Sequence, residues 1–141
     1  MKPYTLRIVT PTREVFNADV EHVRLPGLQG YFGVWASHAP FLAILDVGAA
    51  EFRAGTGTRY LSLSGGYAEV LGNRVTVIAR SAEYVEEIDA KRAESARKRA
   101  ADRLMAHDPG TDLARAQAAL RRSILRLNLS KIGRASCRER V

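Results

Sequence analysis

Glycine occurs eleven times in this chain of 141 residues, yet it disappears from Glu83 to Pro109. Before that gap, apolar residues alternate in steps of two and are interrupted by Gly or Pro; inside it, Ala, Arg and Glu dominate. Strand faces repeat every two residues and helix faces about every 3.6, so one regular element cannot carry both patterns. The break near residue 84 therefore predicts a β domain over residues 1–84 and a helical segment over residues 85–131. A 46% hydrophobic share supplies enough apolar surface for a packed core. The length suits one compact domain with a small appendage.

Within the first part, Tyr4, Leu6 and Ile8 alternate with Thr5, Arg7 and Val9, as in a strand with one buried face, and Pro11 ends it. Strand signals follow at Val15-Phe16, Val20 to Leu25, Tyr31 to Trp35 and Phe41 to Leu45. Ala49 to Arg53 and Arg59 to Leu63 flank Gly55-Thr56-Gly57-Thr58, and Tyr67 to Leu71 and Val75 to Ala79 flank Gly72-Asn73, two hairpin signatures. About ten short strands with turns at this spacing predict an all-β sandwich or flattened barrel.

Asp89 is placed as the N-cap of a first helix, with Ile88 before it as the apolar staple residue. Ala93, Ala96, Ala100 and Leu104 form a slim stripe, and His107-Asp108-Pro109-Gly110 stops the helix. Thr111 or Asp112 caps a second helix, on which Leu113, Gln117, Leu120, Ile124 and Leu127 repeat at helical spacing. A short connection makes the pair an antiparallel hairpin. Helices of this length are marginal alone, so the hairpin is expected to lean on the sandwich or on a partner, and to be able to leave.

The net charge is +7, unevenly placed. Residues 1–84 carry eight basic and seven acidic side chains, whereas residues 85–131 carry eleven and seven. An acidic partner is implied for the helical part. The last ten residues, 132–141 (IGRASCRERV), add a further +2, lack periodicity and resemble the translation of a sequencing-adapter read-through; they are expected to be disordered. The single Cys137 lies there, so neither an internal disulfide nor a thiolate metal cluster is expected. No apolar run approaches the roughly 20 residues of a membrane helix. Lys2-Pro3-Tyr4 leads straight into strand alternation without a signal-peptide core, so a soluble, cytosolic protein is expected.

No catalytic set emerges. His22, His38 and His107 share no metal-ligand spacing. Ser64-Gly65-Gly66 lacks the helix that must follow a nucleophile elbow, and Gly55-Thr56-Gly57 opens no helix, as a dinucleotide loop must. The basic residues are more telling. Arg92, Arg99 and Arg103 fall on one face of the first helix; Arg122 and Arg126 fall on the second, with Arg115 extending their row. If the turn centres near Pro109, Arg92 comes opposite Arg126, and Arg92, Arg99, Arg122 and Arg126 converge on a polyphosphate-sized site. The plain alternative is a solvated basic face. A nucleic-acid-binding module using the basic hairpin is the competing functional class, although its face lacks interleaved aromatics.

Several strings, in order, resemble the epsilon subunit of the bacterial F-type ATP synthase. They are Val9-Thr10-Pro11, Leu25-Pro26-Gly27, Gly30-Tyr31-Phe32-Gly33-Val34, His38-Ala39-Pro40, Ser64-Gly65-Gly66-Tyr67-Ala68-Glu69-Val70 and Asn73-Arg74-Val75-Thr76-Val77. The resemblance covers about residues 4 to 130. It implies a non-catalytic rotor subunit with no required cofactor, peripheral on the cytoplasmic face of the bacterial cell membrane. By position, Gly27, Leu28, Gln29, Gly30 and Tyr31 would face the polar loops of the c-ring, and His38 would lie where the gamma subunit binds. The hairpin, when extended, would meet an acidic segment of the beta subunit. Ile88-Asp89-Ala90-Lys91-Arg92-Ala93 matches the motif by which a subset of the family binds ATP. In that subset Glu83, Ile88 and Asp89 would serve the base side, with Ala93 completing the motif, and Arg92, Arg99, Arg122 and Arg126 would hold the phosphates.

Overall fold

The computed structural model describes residues 2–55, 57–106, 110 and 112–139, the last with side chains to residue 131. Thr56, His107, Asp108, Pro109 and Thr111 lie outside the described residues, as does the side chain of Cys137, so the expected helix stop falls outside them too. The chain divides between Tyr84 and Val85 into two compact units.

The first unit is a β-sandwich of eight strands: β1 (Tyr4–Val9), β2 (Glu14–Val20), β3 (His22–Gly27), β4 (Gly30–Val34), β5 (Phe41–Ala54), β6 (Gly57–Leu71), β7 (Arg74–Ala79) and β8 (Ala82–Tyr84). They pair in the order β2-β1-β7-β6-β5-β3-β4, with β8 beside β6. All pairings are antiparallel except β1 with β7, where Leu6 lies against Val75 and Ile8 against Val77.

Eight strands stand where about ten were expected, chiefly because β5 and β6 each join two segments that the sequence separates. Their pairing runs without a slip from Phe41 opposite Val70 to Ala54 opposite Gly57. What changes midway is the buried face. In β6 it passes from Leu61 and Leu63 to Ala68 and Val70, and in β5 from Leu45 to Ala50 and Phe52. A change of parity along a period-two strand marks a crossing from one layer to the other. Gly65 and Gly66 stand at that corner with φ of 85° and 138°. Three-residue β8, which the sequence did not suggest, is held by pairing with β6 from Leu61 to Leu63.

Between the layers, Leu6, Ile8, Val23, Leu25, Phe52, Leu61, Leu63 and Val77 are fully buried. The Phe16 and Phe52 rings meet at 4.5 Å, joining β2 to β5. Tyr4 donates its hydroxyl to the Val34 carbonyl at 2.6 Å, which satisfies the polar tip of a buried ring. Burial pushes the pKa of that phenol upward.

The second unit opens with a 3₁₀ turn at Val85–Glu87, followed by α1 (Ala90–Met105) and α2 (Leu113–Glu139). Asp89 caps α1 as expected: its Oδ1 accepts from the amides of Lys91 and Arg92 at 3.0 and 3.1 Å. Asp112 caps α2 by accepting from the Arg115 amide at 3.1 Å. Replacing Asp89 with alanine is expected to cost the hairpin about 1 kcal/mol, read as a lower thermal midpoint in its helical signal. Asp89→Asn keeps the acceptor and should leave that midpoint nearly unchanged. Helix α2 continues past Lys131 to Glu139, into the segment whose lost periodicity suggested disorder. Helical backbone needs no apolar repeat once a preceding turn has nucleated it.

The face that α2 buries matches the expected stripe only in part. Leu113 and Ile124 are 53% and 41% exposed and Gln117 is exposed, Leu120 and Leu127 are half-buried, and Ala116, Ser123, Leu129 and Ser130 are buried. On α1, which packs on α2, the buried residues are Ala93 and Ala100. Small residues seven apart on both helices let the two backbones approach closely. The buried hydroxyls are satisfied within α2: Ser123 donates toward the carbonyls of Ala119 and Leu120, and Ser130 donates to that of Leu127.

Candidate functional site

On the sandwich, β3 and β4 close at Gly27 opposite Gly30, so Leu28 and Gln29 form the tip. The Leu28 amide donates to the Ile44 carbonyl at 2.9 Å, tying the tip to β5. Behind the tip, Tyr31 accepts at its hydroxyl from the Ala49 amide at 3.1 Å, and the Arg24 guanidinium lies 4.4 Å over its ring. The tip is thus held rigidly while Leu28 stays 59% exposed. With Phe41, Leu42 and Ile44 it walls an open groove of about 450 Å³. His38 follows Ser37, which adopts a left-handed φ of 63°, and donates from Nδ1 to the Ala39 carbonyl at 2.7 Å. Its ring lies 6.1 Å from that of Phe41, so His38 stands at the edge of the same apolar region.

The structure adds residues that the sequence reading missed. Ile44 pairs with Tyr67, and Tyr67 with Ile78, across β5, β6 and β7. All three side chains are 54% exposed, and Leu42, two residues from Ile44, is 69% exposed. An antiparallel sheet normally turns polar side chains to water, so an apolar row on the outer face marks a docking surface. The signal lay in the sequence: these residues occupy the alternate positions to buried Leu45, Ala68, Val77 and Ala79.

On the hairpin, Arg92 and Arg99 are exposed on α1, seven residues apart; on α2, Arg122 is exposed and Arg126 half-buried. Ile88 is half-buried and Ala93 buried. Glu83 belongs to β8 of the first unit. Arg97 is engaged locally by the Glu94 carboxylate, at 2.5 Å from its Nη2. That hydrogen bond holds the Glu94 carboxyl below its ordinary pKa and raises that of Arg97. Among the described residues, Arg92, Arg99 and Arg122 take part in no ion pair. From Leu113 to Lys131, α2 carries five basic residues and no acidic one.

The charge of Lys131 is felt at the Glu94 carboxyl, so the start of α1 lies toward the end of the described α2 side chains, as an antiparallel hairpin requires.

A β-sandwich with an apolar outer row, followed by a strongly basic helical hairpin, defines an accessory docking subunit. The family model for the ATP synthase, Delta/Epsilon chain, beta-sandwich domain matches residues 3–85, and that for the long alpha-helix domain of the same chain matches residues 86–131. The chain belongs to the ATP synthase delta/epsilon chain family, whose members are accessory subunits and not the catalytic ones. It is 45% identical over 128 residues to the ATP synthase epsilon chain of Nitratidesulfovibrio vulgaris (strain DP4), covering 91% of this chain and 96% of that one. With the epsilon chain of Bacillus velezensis it shares 39% over 130 residues, covering 92% and 98%. In structure it is similar to a chain of the Euglena gracilis mitochondrial ATP synthase, with a TM-score of 0.75 at 22% identity over 84% of this chain and 76% of that chain. That likeness concerns the fold.

Proposed function

We infer that the chain is a non-catalytic subunit of the central stalk of an F-type ATP synthase, coupling ion-driven rotation of the membrane ring to ATP synthesis in the catalytic head. The observation that carries this reading is the match of both units, in order, to one family over residues 3–131. The sandwich docks on the gamma subunit through the row Ile44, Tyr67 and Ile78 with His38 beside it, and offers the rigid tip at Gly27–Tyr31 to the polar loops of the c-ring. Among the described residues no helix is long and apolar enough to cross a membrane. Attachment at the cytoplasmic face of the membrane then runs through these partners. Co-purification with gamma tests the reading. Tyr67→Ala should weaken the pairing about tenfold, as the loss of an aromatic anchor does, with little effect on thermal unfolding. Failure of the parent chain to bind gamma would overturn it.

The hairpin is the regulatory arm. Ile88, Asp89, Arg92, Ala93, Arg99, Arg122 and Arg126 hold ATP in the folded hairpin, and when ATP is scarce the arm extends and sets its basic α2 against an acidic segment of the beta subunit. A ligand that prefers the folded state about a hundredfold moves the balance from 1:10 to 10:1. Support comes from the full motif at Ile88–Ala93 and from Arg92, Arg99 and Arg122, which among the described residues take part in no ion pair. Calorimetric titration of ATP into the full chain, with and without magnesium, should show one saturable site. No heat at millimolar ATP would reduce Ile88 and Asp89 to capping, and the arginines to a surface for the acidic partner.

A further inference from the structure

We propose that a pocket between the start of β3 and the end of β5 receives an arginine or lysine side chain of a partner protein, held over Trp35 and against the Glu51 carboxylate. Cross-strand register assembles the pocket: His22 lies opposite Arg53, and Arg24 opposite Glu51. Trp35 follows directly on β4, whose Val34 pairs with Val23 of β3. The cavity holds about 190 Å³, and Glu21, His22, Trp35, Glu51 and Arg53 line it together with buried Phe52. Sites for small-molecule ligands usually offer roughly 300–1,000 Å³, so this one suits a single side chain.

The chemistry of the lining selects a cation. The His22 and Trp35 rings stack with centroids 4.4 Å apart. Gly33 leaves room for the imidazole, since a Cβ there would fall 3.3 Å from His22 Nε2. Trp35 stays 49% exposed, and an open indole face attracts positive charge. Glu51 is half-buried, and among the described residues its carboxylate takes part in no hydrogen bond or ion pair. Its cross-strand neighbour Arg24 is turned instead over the Tyr31 ring, at 4.4 Å. The cation of the pocket itself, Arg53, lies 3.7 Å from Glu21, which leaves Glu51 as the carboxylate without a partner. A half-buried carboxylate without a donor is costly, and an incoming guanidinium or ammonium group offsets that cost. An apolar group would leave Glu51 unsatisfied, and an acidic one would be repelled by it. In the ladder of β5 with β6, Glu51 pairs with Tyr60 and Ile44 with Tyr67, on either side of the Gly65-Gly66 corner. The pocket and the apolar row therefore belong to different layers, and this inference holds whether or not gamma covers the row.

Trp35 is the single tryptophan of the chain, so its emission reports on the pocket directly. Titrating N-acetyl-arginine amide into the full chain should change that emission saturably, in the millimolar range that one cation–π contact and one charge-assisted hydrogen bond allow. N-acetyl-citrulline amide keeps the shape without the charge and should bind at least about tenfold more weakly. Free guanidinium ion lacks the apolar stem that lies along an aromatic surface, so it too should bind about tenfold more weakly. Glu51→Gln should weaken the arginine amide about fivefold to tenfold and leave thermal unfolding parental, because Glu51 makes no bond within the described fold. No saturable change with the arginine amide, equal binding of the citrulline amide, or an unchanged Glu51→Gln titration would overturn the proposal. Equal binding of guanidinium ion would make the pocket a site for a free small cation and overturn the partner side chain.

Discussion

Gly66→Ala should destabilise the β-sandwich by about 3 kcal/mol or more, combining the strain of a left-handed φ on a residue with Cβ and a backbone collision. Gly66 has φ +138°, and a Cβ built there falls 2.0 Å from the Ile78 carbonyl oxygen and 2.9 Å from the Ala79 Cα. Both are main-chain atoms of β7, and Gly66 pairs directly with Ala79. A flexible side chain cannot swing aside to make room; β7 itself must move away from the corner at which β6 changes layers. That displacement also strains the bond from the Arg80 amide to the Gly65 carbonyl, now 3.2 Å. Against a total stability of about 5–15 kcal/mol, such a loss is severe. Gly57→Ala is the control, because nothing lies within 4 Å of its Cβ position and its φ is not left-handed. Urea unfolding followed by the Trp35 signal should show a much lower midpoint for Gly66→Ala and a parental one for Gly57→Ala. A parental midpoint for both would mean that β7 yields at little cost.

How far these features were legible in the sequence depends on how local their causes are. The Asp89 cap needs only neighbouring amides, and it was readable from residue type and position. Strand β1 was readable for the same reason, since Tyr4, Leu6 and Ile8 alternate without interruption. The union of β5 and β6 into long bent strands was not, because Gly65-Gly66 reads as a turn although it serves here as a corner in a paired strand. The buried face of α2 was legible only in part. Leu120 and Leu127 of the apolar stripe are half-buried, but Ala116 and Ser123 are buried while Leu113 and Ile124 are exposed, because close approach of two helices also favours small side chains, which hydrophobicity does not rank. The outer row Ile44, Tyr67 and Ile78 escaped notice because strand patterns are read for the buried parity. The opposite parity becomes informative only once neighbouring strands place its residues side by side. The family match favours the rotor reading over a nucleic-acid module.

Arg92→Ala and Arg126→Ala should each weaken ATP binding about tenfold to a hundredfold, since a charge-assisted hydrogen bond to phosphate is worth roughly 1.5–3 kcal/mol. Arg92 and Arg126 stand on different helices, so each brings its own guanidinium fork to the polyphosphate. If each contributes separately, the double variant loses close to the sum of the two free energies. Arg92→Lys keeps the charge and loses the fork, so it should fall between the parent and Arg92→Ala. The rival explanation is a diffuse positive field over the whole hairpin. In that case every cation counts alike, so Arg115→Ala would weaken binding as much as Arg92→Ala, and added salt would abolish the difference among variants. A built site predicts an Arg115→Ala titration that overlays the parent. Equal losses at Arg92 and Arg115 would dissolve the four-arginine site into a general basic surface, leaving α2 suited to an acidic protein partner and the hairpin without a nucleotide sensor.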